Sequence, residues 1–174
     1  LVGAFRWLQS GHSIGKTVVR VEPGTRPSLV WNGDGAVLIT DGLGGLGIVT
    51  AEALVELGAT SIVLASRSGK IKYDGQGLQE RLDALRASGA TIVIEQCDTA
   101  DEHQVIELLE RVRCGGYGLL RGVVHAAGVL SDSMLRSQNE ESIRRVVEPK
   151  AMGAWYLHKH TTDDALDIFM TYSS

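Results

Sequence analysis

Cysteine is nearly absent: of 174 residues only Cys97 and Cys114 carry a thiol. They fall in different predicted elements, with no Cys-x-x-Cys spacing and no histidine ligand pattern nearby. That excludes a zinc site and a disulfide framework and fits a reducing, cytoplasmic setting. Long apolar runs are missing too. No stretch approaches the roughly 18 residues a membrane helix needs, and the N-terminus lacks the charged, apolar and small-residue segments of a secretory leader in that order. A membrane is therefore not an expected partner. Nor is there a basic excess, because 17 Lys and Arg are outnumbered by 21 Asp and Glu for a formal net charge of -4. No basic run carries interleaved aromatics, so nucleic acid is not an expected partner either.

What is present suits one ordinary α/β domain, or a domain with a piece of a neighbour: 44% of residues are hydrophobic and 22% charged. Two of the three prolines, Pro23 and Pro27, lie in residues 22–35 together with Gly24, Ser28, Asn32, Gly33, Asp34 and Gly35. Such a stretch reads as a linker. Ahead of it, residues 1–21 combine a helical pattern around Ala4-Phe5-Arg6-Trp7-Leu8 with a β-branched strand from Ile14 to Val21. The chain starts mid-pattern at Leu1 and ends on Ser173-Ser174 directly after an apolar strand, which reads as a segment of a longer polypeptide.

From Ala36 the pattern alternates. Predicted strands cover Ala36–Thr40, Ser61–Ala65, Thr91–Glu95, Leu120–Ala126 and Leu166–Tyr172. Between them lie helices at Gly45–Leu57, around Leu78, Leu82 and Leu85, around Val105, Ile106, Leu108 and Leu109, and from Ser137 to about His158. Thr99-x-x-Glu102 and Ser137-x-x-Glu140 read as capping boxes, and Pro149 is expected to kink or restart the last helix. Helices of roughly 10 to 15 residues between strands imply right-handed crossovers and a parallel sheet covered on both faces, of order 3-2-1-4-5. This is a Rossmann-like, doubly wound α/β fold. Its ligand site is expected beyond the carboxyl ends of the strands, at the switch between the first and fourth.

Four groups of residues project to that switch. The run Thr40-Asp41-Gly42-Leu43-Gly44-Gly45-Leu46-Gly47 joins the first strand to the first helix, where glycines let the backbone approach a pyrophosphate and the helix end offers unpaired N–H groups. About 20 residues further on, where an NAD site would carry an acid for the ribose 2′-hydroxyl, the chain has Ser66-Arg67. An arginine there takes the 2′-phosphate of NADPH by a charge-assisted contact. Cys97-Asp98 follows the third strand, with Asp98 placed to accept from an adenine amino group, and His125-Ala126-Ala127-Gly128 ends the fourth. The Gly-Lys-Ser/Thr of a P-loop is absent, since Ile48 follows Gly47. A methyltransferase would carry an acid where Arg67 stands.

Together with Leu64–Gly69, Val129-Leu130, Pro149-Lys150 with Gly153, and Phe169–Ser174, these motifs resemble the ketoreductase domain of a modular or iterative polyketide synthase, within the short-chain dehydrogenase/reductase superfamily. The resemblance covers residues 36–174. Residues 1–21 resemble the C-terminal end of an enoylreductase domain, which commonly precedes a ketoreductase in such synthases. What the resemblance implies is NADPH-dependent reduction of a β-ketoacyl thioester on an acyl carrier protein, with neighbouring enoylreductase and dehydratase domains as partners. Lys150 and Ser174, 24 positions apart, match the family's catalytic lysine and serine. The proton-donating tyrosine falls beyond residue 174, so the domain is expected to be incomplete at its C-terminus. Two departures stand out. Asp41 occupies the place of the family's first glycine, and Leu130-Ser131-Asp132 keeps only the second acid of the Leu-Asp-Asp pattern that goes with one alcohol configuration. Alternatives of the same fold are a catalytically silent bracing domain and a free-standing short-chain reductase.

Overall fold

The computed structural model describes Trp31 and residues 35–173. The enoylreductase-like expectation for residues 1–21 lies outside the described residues. So does Ser174.

Five strands form one wholly parallel sheet: β1 (Ala36–Thr40), β2 (Ser61–Ser66), β3 (Thr91–Gln96), β4 (Leu120–His125) and β5 (Ile168–Thr171), in the spatial order β3-β2-β1-β4-β5. Helices α1 (Gly45–Glu56), α2 (Leu78–Ala87), α3 (Glu102–Cys114), α4 (Glu140–Val147) and α5 (Gly153–His160) connect them, with a π turn at Glu148–Met152 between the last two. The expected fold class and order are those observed. Every residue of β1 is buried, while the edge strands β3 and β5 are only partly covered. That gradient explains why β1 reads as an uninterrupted apolar run.

Alternation along the strands supplies two cores. On one face Val37, Ile39, Ile62 and Leu64 pack with Ile48, Ala51 and Leu54 of α1 and Leu82 and Leu85 of α2. On the other, Ala36, Leu38, Val63 and Val123 pack with Val105, Leu108, Leu109 and Val112 of α3 and Leu157 of α5. Adjacent residues of one strand thus serve opposite cores, which fixes the register. Of the stretch read as a linker, Trp31 and Gly35 are described, and Trp31 is buried in the first core.

The termini of two helices differ from expectation. Helix α3 is capped by Asp101, whose carboxylate accepts from the backbone N–H of His103 at 3.0 Å and of Gln104 at 3.4 Å. Thr99, the expected cap, instead donates its hydroxyl to the Pro149 carbonyl at 3.2 Å, a partner 50 residues away. Helix α4 begins with a reciprocal box between Asn139 and Ser142, not Ser137 and Glu140; Ser137 closes a short 3₁₀ turn with Leu135 and Arg136. As expected, Pro149 interrupts the helix, which resumes as α5 at Gly153. It sits inside the π turn, where the wider backbone accommodates a residue that has no N–H and crowds the carbonyl four residues earlier. The last strand is shorter than predicted, although flanking backbone bonds from Asp167 to Arg121 and from Tyr172 to His125 prolong its pairing.

If Asn139 rather than Ser137 caps α4, Asn139→Ala should cost about 1 kcal/mol of local stability. Faster amide exchange at Ile143–Val147 would report it, with no change in Ser137→Ala.

Candidate functional site

All five strands point the same way, so their carboxyl ends and the loops that follow converge on one rim of the sheet. The β1–α1 turn is tight because space is lacking. An added Cβ on Gly42 would lie 2.7 Å from the Ile39 carbonyl oxygen, and one on Gly47 would lie 2.5 Å from that of Asp41. Asp41 itself adopts φ 50, the left-handed region. This is the conformation for which glycine is the default, and aspartate is among the few other residues that enter it readily. The departure from the family pattern therefore leaves the turn intact. Its chemical effect is the carboxylate. Burial in the turn raises the Asp41 pKa, while the nearby charges of Arg67 and Lys72 act in the opposite direction.

Two cavities open on this rim. One, of about 320 Å³, is lined by Leu43, Gly44 and Gly45 of the glycine turn, Ser66 and Arg67 after β2, Cys97 after β3, and Ala127 and Gly128 after β4. The other, of about 650 Å³, is lined by Leu46, Ala126, Ala127, Gly128, Leu130, Asp132 and Lys150. Asp41, Ala127 and Gly128 border both, so the two are neighbouring parts of one cleft. Most of the expected binding residues are brought together. At Gly128 an added Cβ would meet nothing within 4 Å, so the wall is open there.

Four expected cofactor residues are not on the cavity walls. Gly42 is buried beneath the turn and serves it sterically. Asp98 is occupied by the next turn, its carboxylate accepting from the Ala100 N–H at 3.1 Å while its own N–H donates to the Gln104 side chain at 2.9 Å. Thr40 and His125 are fully buried and turned toward each other. The Lys150 carbonyl can only accept, so His125 Nε2 carries the proton and donates to it at 3.0 Å; Nδ1 is then left to accept from the Thr40 hydroxyl at 2.7 Å. Neither side chain is available to a ligand. The strand-end position that made them candidates by motif turns their polar atoms into the protein.

The structure adds residues with no motif of their own. Lys70, Lys72, Tyr73 and Gln76, from the β2–α2 loop, line the smaller cavity. Between the two lysines Ile71 packs against the first core, which holds both on the rim. An added Cβ on Gly45 would lie 2.8 Å from the Gln76 side-chain oxygen, so the loop closes down on the glycine turn. A Lys-Ile-Lys alternation with an anchored centre was the available signal. Cys97 is a wall residue without reactivity: burial pushes its thiol up to about 12, against the influence of Arg111. No group of His, Cys, Asp and Glu among the described residues could hold a metal ion. None of their helices is long and apolar enough to cross a membrane.

Comparison with known proteins agrees with the observed fold. The family model described as KR domain matches residues 35–174. The chain is 37% identical over 179 residues to a mycocerosic acid synthase-like polyketide synthase of Mycobacterium tuberculosis, covering 98% of the chain and 8% of that protein. It is 33% identical over 178 residues to the lovastatin diketide synthase lovF of Aspergillus terreus, covering 98% of the chain and 7% of that protein. The chain thus spans less than a tenth of the curated relatives it matches. Among solved structures, A-type ketoreductases from a modular polyketide synthase superpose with a TM-score of 0.74 at 31% identity, covering 88% of this chain and 32% of that one.

Burial holds the His125 pKa below its ordinary 6.5, although the carbonyls of Lys150 and Pro149 favour the charged ring. The unfolded chain therefore binds the proton more readily than the folded one, and stability should be complete above pH 6.5 and decline as pH falls through that value. Thermal unfolding between pH 8 and pH 5 checks this: replacing His125 by Asn should flatten the dependence.

Proposed function

The chain belongs to the KR domain family, the ketoreductase domains of polyketide synthases, and from that premise we propose that it takes part in NADPH-dependent reduction of a β-ketoacyl thioester, carried on an acyl carrier protein, to the β-hydroxyacyl thioester. One observation carries the reading. Arg67 and the glycine turn are walls of the same 320 Å³ cavity. Helix α1 has no acidic residue in its first turn, so its N-terminal N–H groups and positive dipole end suit a pyrophosphate. Arg67, with Lys70 and Lys72 on the same wall, suits a 2′-phosphate, which NADH lacks.

Bound NADPH supplies the hydride. The remaining work falls to Lys150, on the wall of the larger cavity, and to the serine and tyrosine of the family's pattern. The ammonium of Lys150 lowers the pKa of the tyrosine that the family places beyond residue 174 and holds the ribose; Ser174 orients the substrate carbonyl. Leu130 and Asp132, on the same cavity, face the acyl substrate and take part in its stereochemistry. Neighbouring enoylreductase and dehydratase domains and the carrier protein are the proposed partners. Alignments covering 98% of the chain, the segment before residue 35 included, with multidomain synthases support this over a free-standing reductase.

Asp41 favours a second reading, in which the domain braces its neighbours and reduces nothing. Its carboxylate borders both cavities where phosphate groups would approach. Against that reading stand Arg67 and Lys72, whose charges offset it.

Cofactor titrations of the intact protein separate these readings. Arg67→Ala should weaken NADPH binding by roughly ten- to a hundredfold while leaving NADH nearly unchanged, the scale of a lost charged hydrogen-bond pair; equal losses for both cofactors would refute the 2′-phosphate assignment. Asp41→Gly should tighten NADPH on the order of tenfold. No NADPH binding by either the native protein or Asp41→Gly would leave the bracing role.

A further inference from the structure

His125 is 1% exposed, lies behind the cavity walls and joins three elements. One ring nitrogen accepts from Thr40 at the end of β1; the other donates to the Lys150 carbonyl within the π turn. The adjacent carbonyl, that of Pro149, accepts from the Thr99 hydroxyl beyond β3. Two consecutive carbonyls of the π turn are therefore held from the strand ends. Gly153, just after the turn, completes the fit: an added Cβ would lie 3.0 Å from both the His125 Cε1 and the Thr99 Cβ. An imidazole so deeply buried is unfavourable as mere filling, since an apolar ring would occupy the space without desolvating two nitrogens. Its two directed bonds are what distinguish it.

We propose that His125 is a positioning residue for Lys150: by holding the Lys150 carbonyl inside the π turn, the imidazole sets the point from which the lysine side chain enters the larger cavity. The proposal rests on the reading of Lys150 as the lysine of ketone reduction. Turns of the π type are rare and cluster at functional sites. Here the turn inserts an extra residue at the position where the lysine must be aimed. Thr40 serves the same end indirectly, because its hydroxyl fixes the imidazole tautomer that presents Nε2–H to the carbonyl.

Two replacements divide the ring's functions in the intact protein. In His125→Gln the side-chain amide reaches the Nε2 position and keeps the donor to Lys150. In His125→Asn it reaches only the Nδ1 position, keeping contact with Thr40 and losing the carbonyl. Reduction by His125→Asn should fall by up to about a hundredfold in kcat with KM for the acyl substrate little changed, and the basic limb of its pH–rate profile should move upward. His125→Gln should restore both. The rate of Lys150 acetylation at a fixed pH, followed by mass spectrometry without cofactor, should change in His125→Asn and not in His125→Gln. Gly153→Ala, which presses on the ring without removing it, should resemble His125→Asn and serves if that variant fails to fold. Equal losses of thermal stability in the two His125 variants, with kcat, pH profile and acetylation unmoved, would overturn the proposal by leaving a purely structural histidine. Lys150→Met tests the underlying reading separately. If it reduces the substrate at the native rate, the lysine assignment falls and the positioning role with it; if it is inactive while His125→Asn behaves as native, only the positioning role falls.

Discussion

Parallel pairing of all five strands is the constraint on which the rest depends. It sends every carboxyl end to one rim, so the glycine turn, Ser66-Arg67, Cys97, the segment from Ala126 to Gly128 and the π turn with Lys150 meet there despite their separation along the chain. Central strands buried on both faces make this possible, since their alternating side chains feed two cores at once. The rim is then free to carry polar chemistry. Where it does, supporting atoms lie one layer below: Thr40 and His125 connect the strand ends to the π turn without touching the cleft, and Thr99, at the edge of the smaller cavity, adds its hydroxyl to the Pro149 carbonyl.

Electrostatics on this rim are balanced locally. A carboxylate in the glycine turn is unfavourable for its own ionisation, yet Arg67 and Lys72 oppose that effect from the facing loop. The left-handed backbone at Asp41 is tolerated for a reason of shape, because a short polar side chain clashes less there than a branched or bulky one would. Shape and charge thus give separate answers about the same residue. The turn keeps its form, while the charge it presents to the cleft is set together with the neighbouring cations.

Strand β1 was legible to the residue, because Ala36–Ile39 is apolar on both faces and Thr40-Asp41 leads directly into the glycines. Sheet order and crossovers followed from the alternation of elements. Motifs after β1, β2 and β4 located the cleft, and most of the residues they nominated line it. The helix caps were legible only approximately. Thr99 and Ser137 carry the right side chains at capping spacing, but spacing cannot reveal that Pro149 competes for the Thr99 hydroxyl or that Ser137 is taken up by a 3₁₀ turn. Pro149 likewise signalled a disturbance in its helix without revealing that a π turn absorbs it.

The sequence by itself determined which residues reach the strand ends, since that depends on local periodicity and on glycines that short-range sterics demand. It could not determine which way those side chains turn once there. His125 reads as a cleft residue by motif and is in fact committed to Thr40 and Lys150, partners 85 and 25 positions away. Lys70 and Lys72 belong to no motif, and they reach the cleft because Ile71 anchors between them. In each case a long-range packing contact, invisible to a pattern of neighbours, decided the orientation.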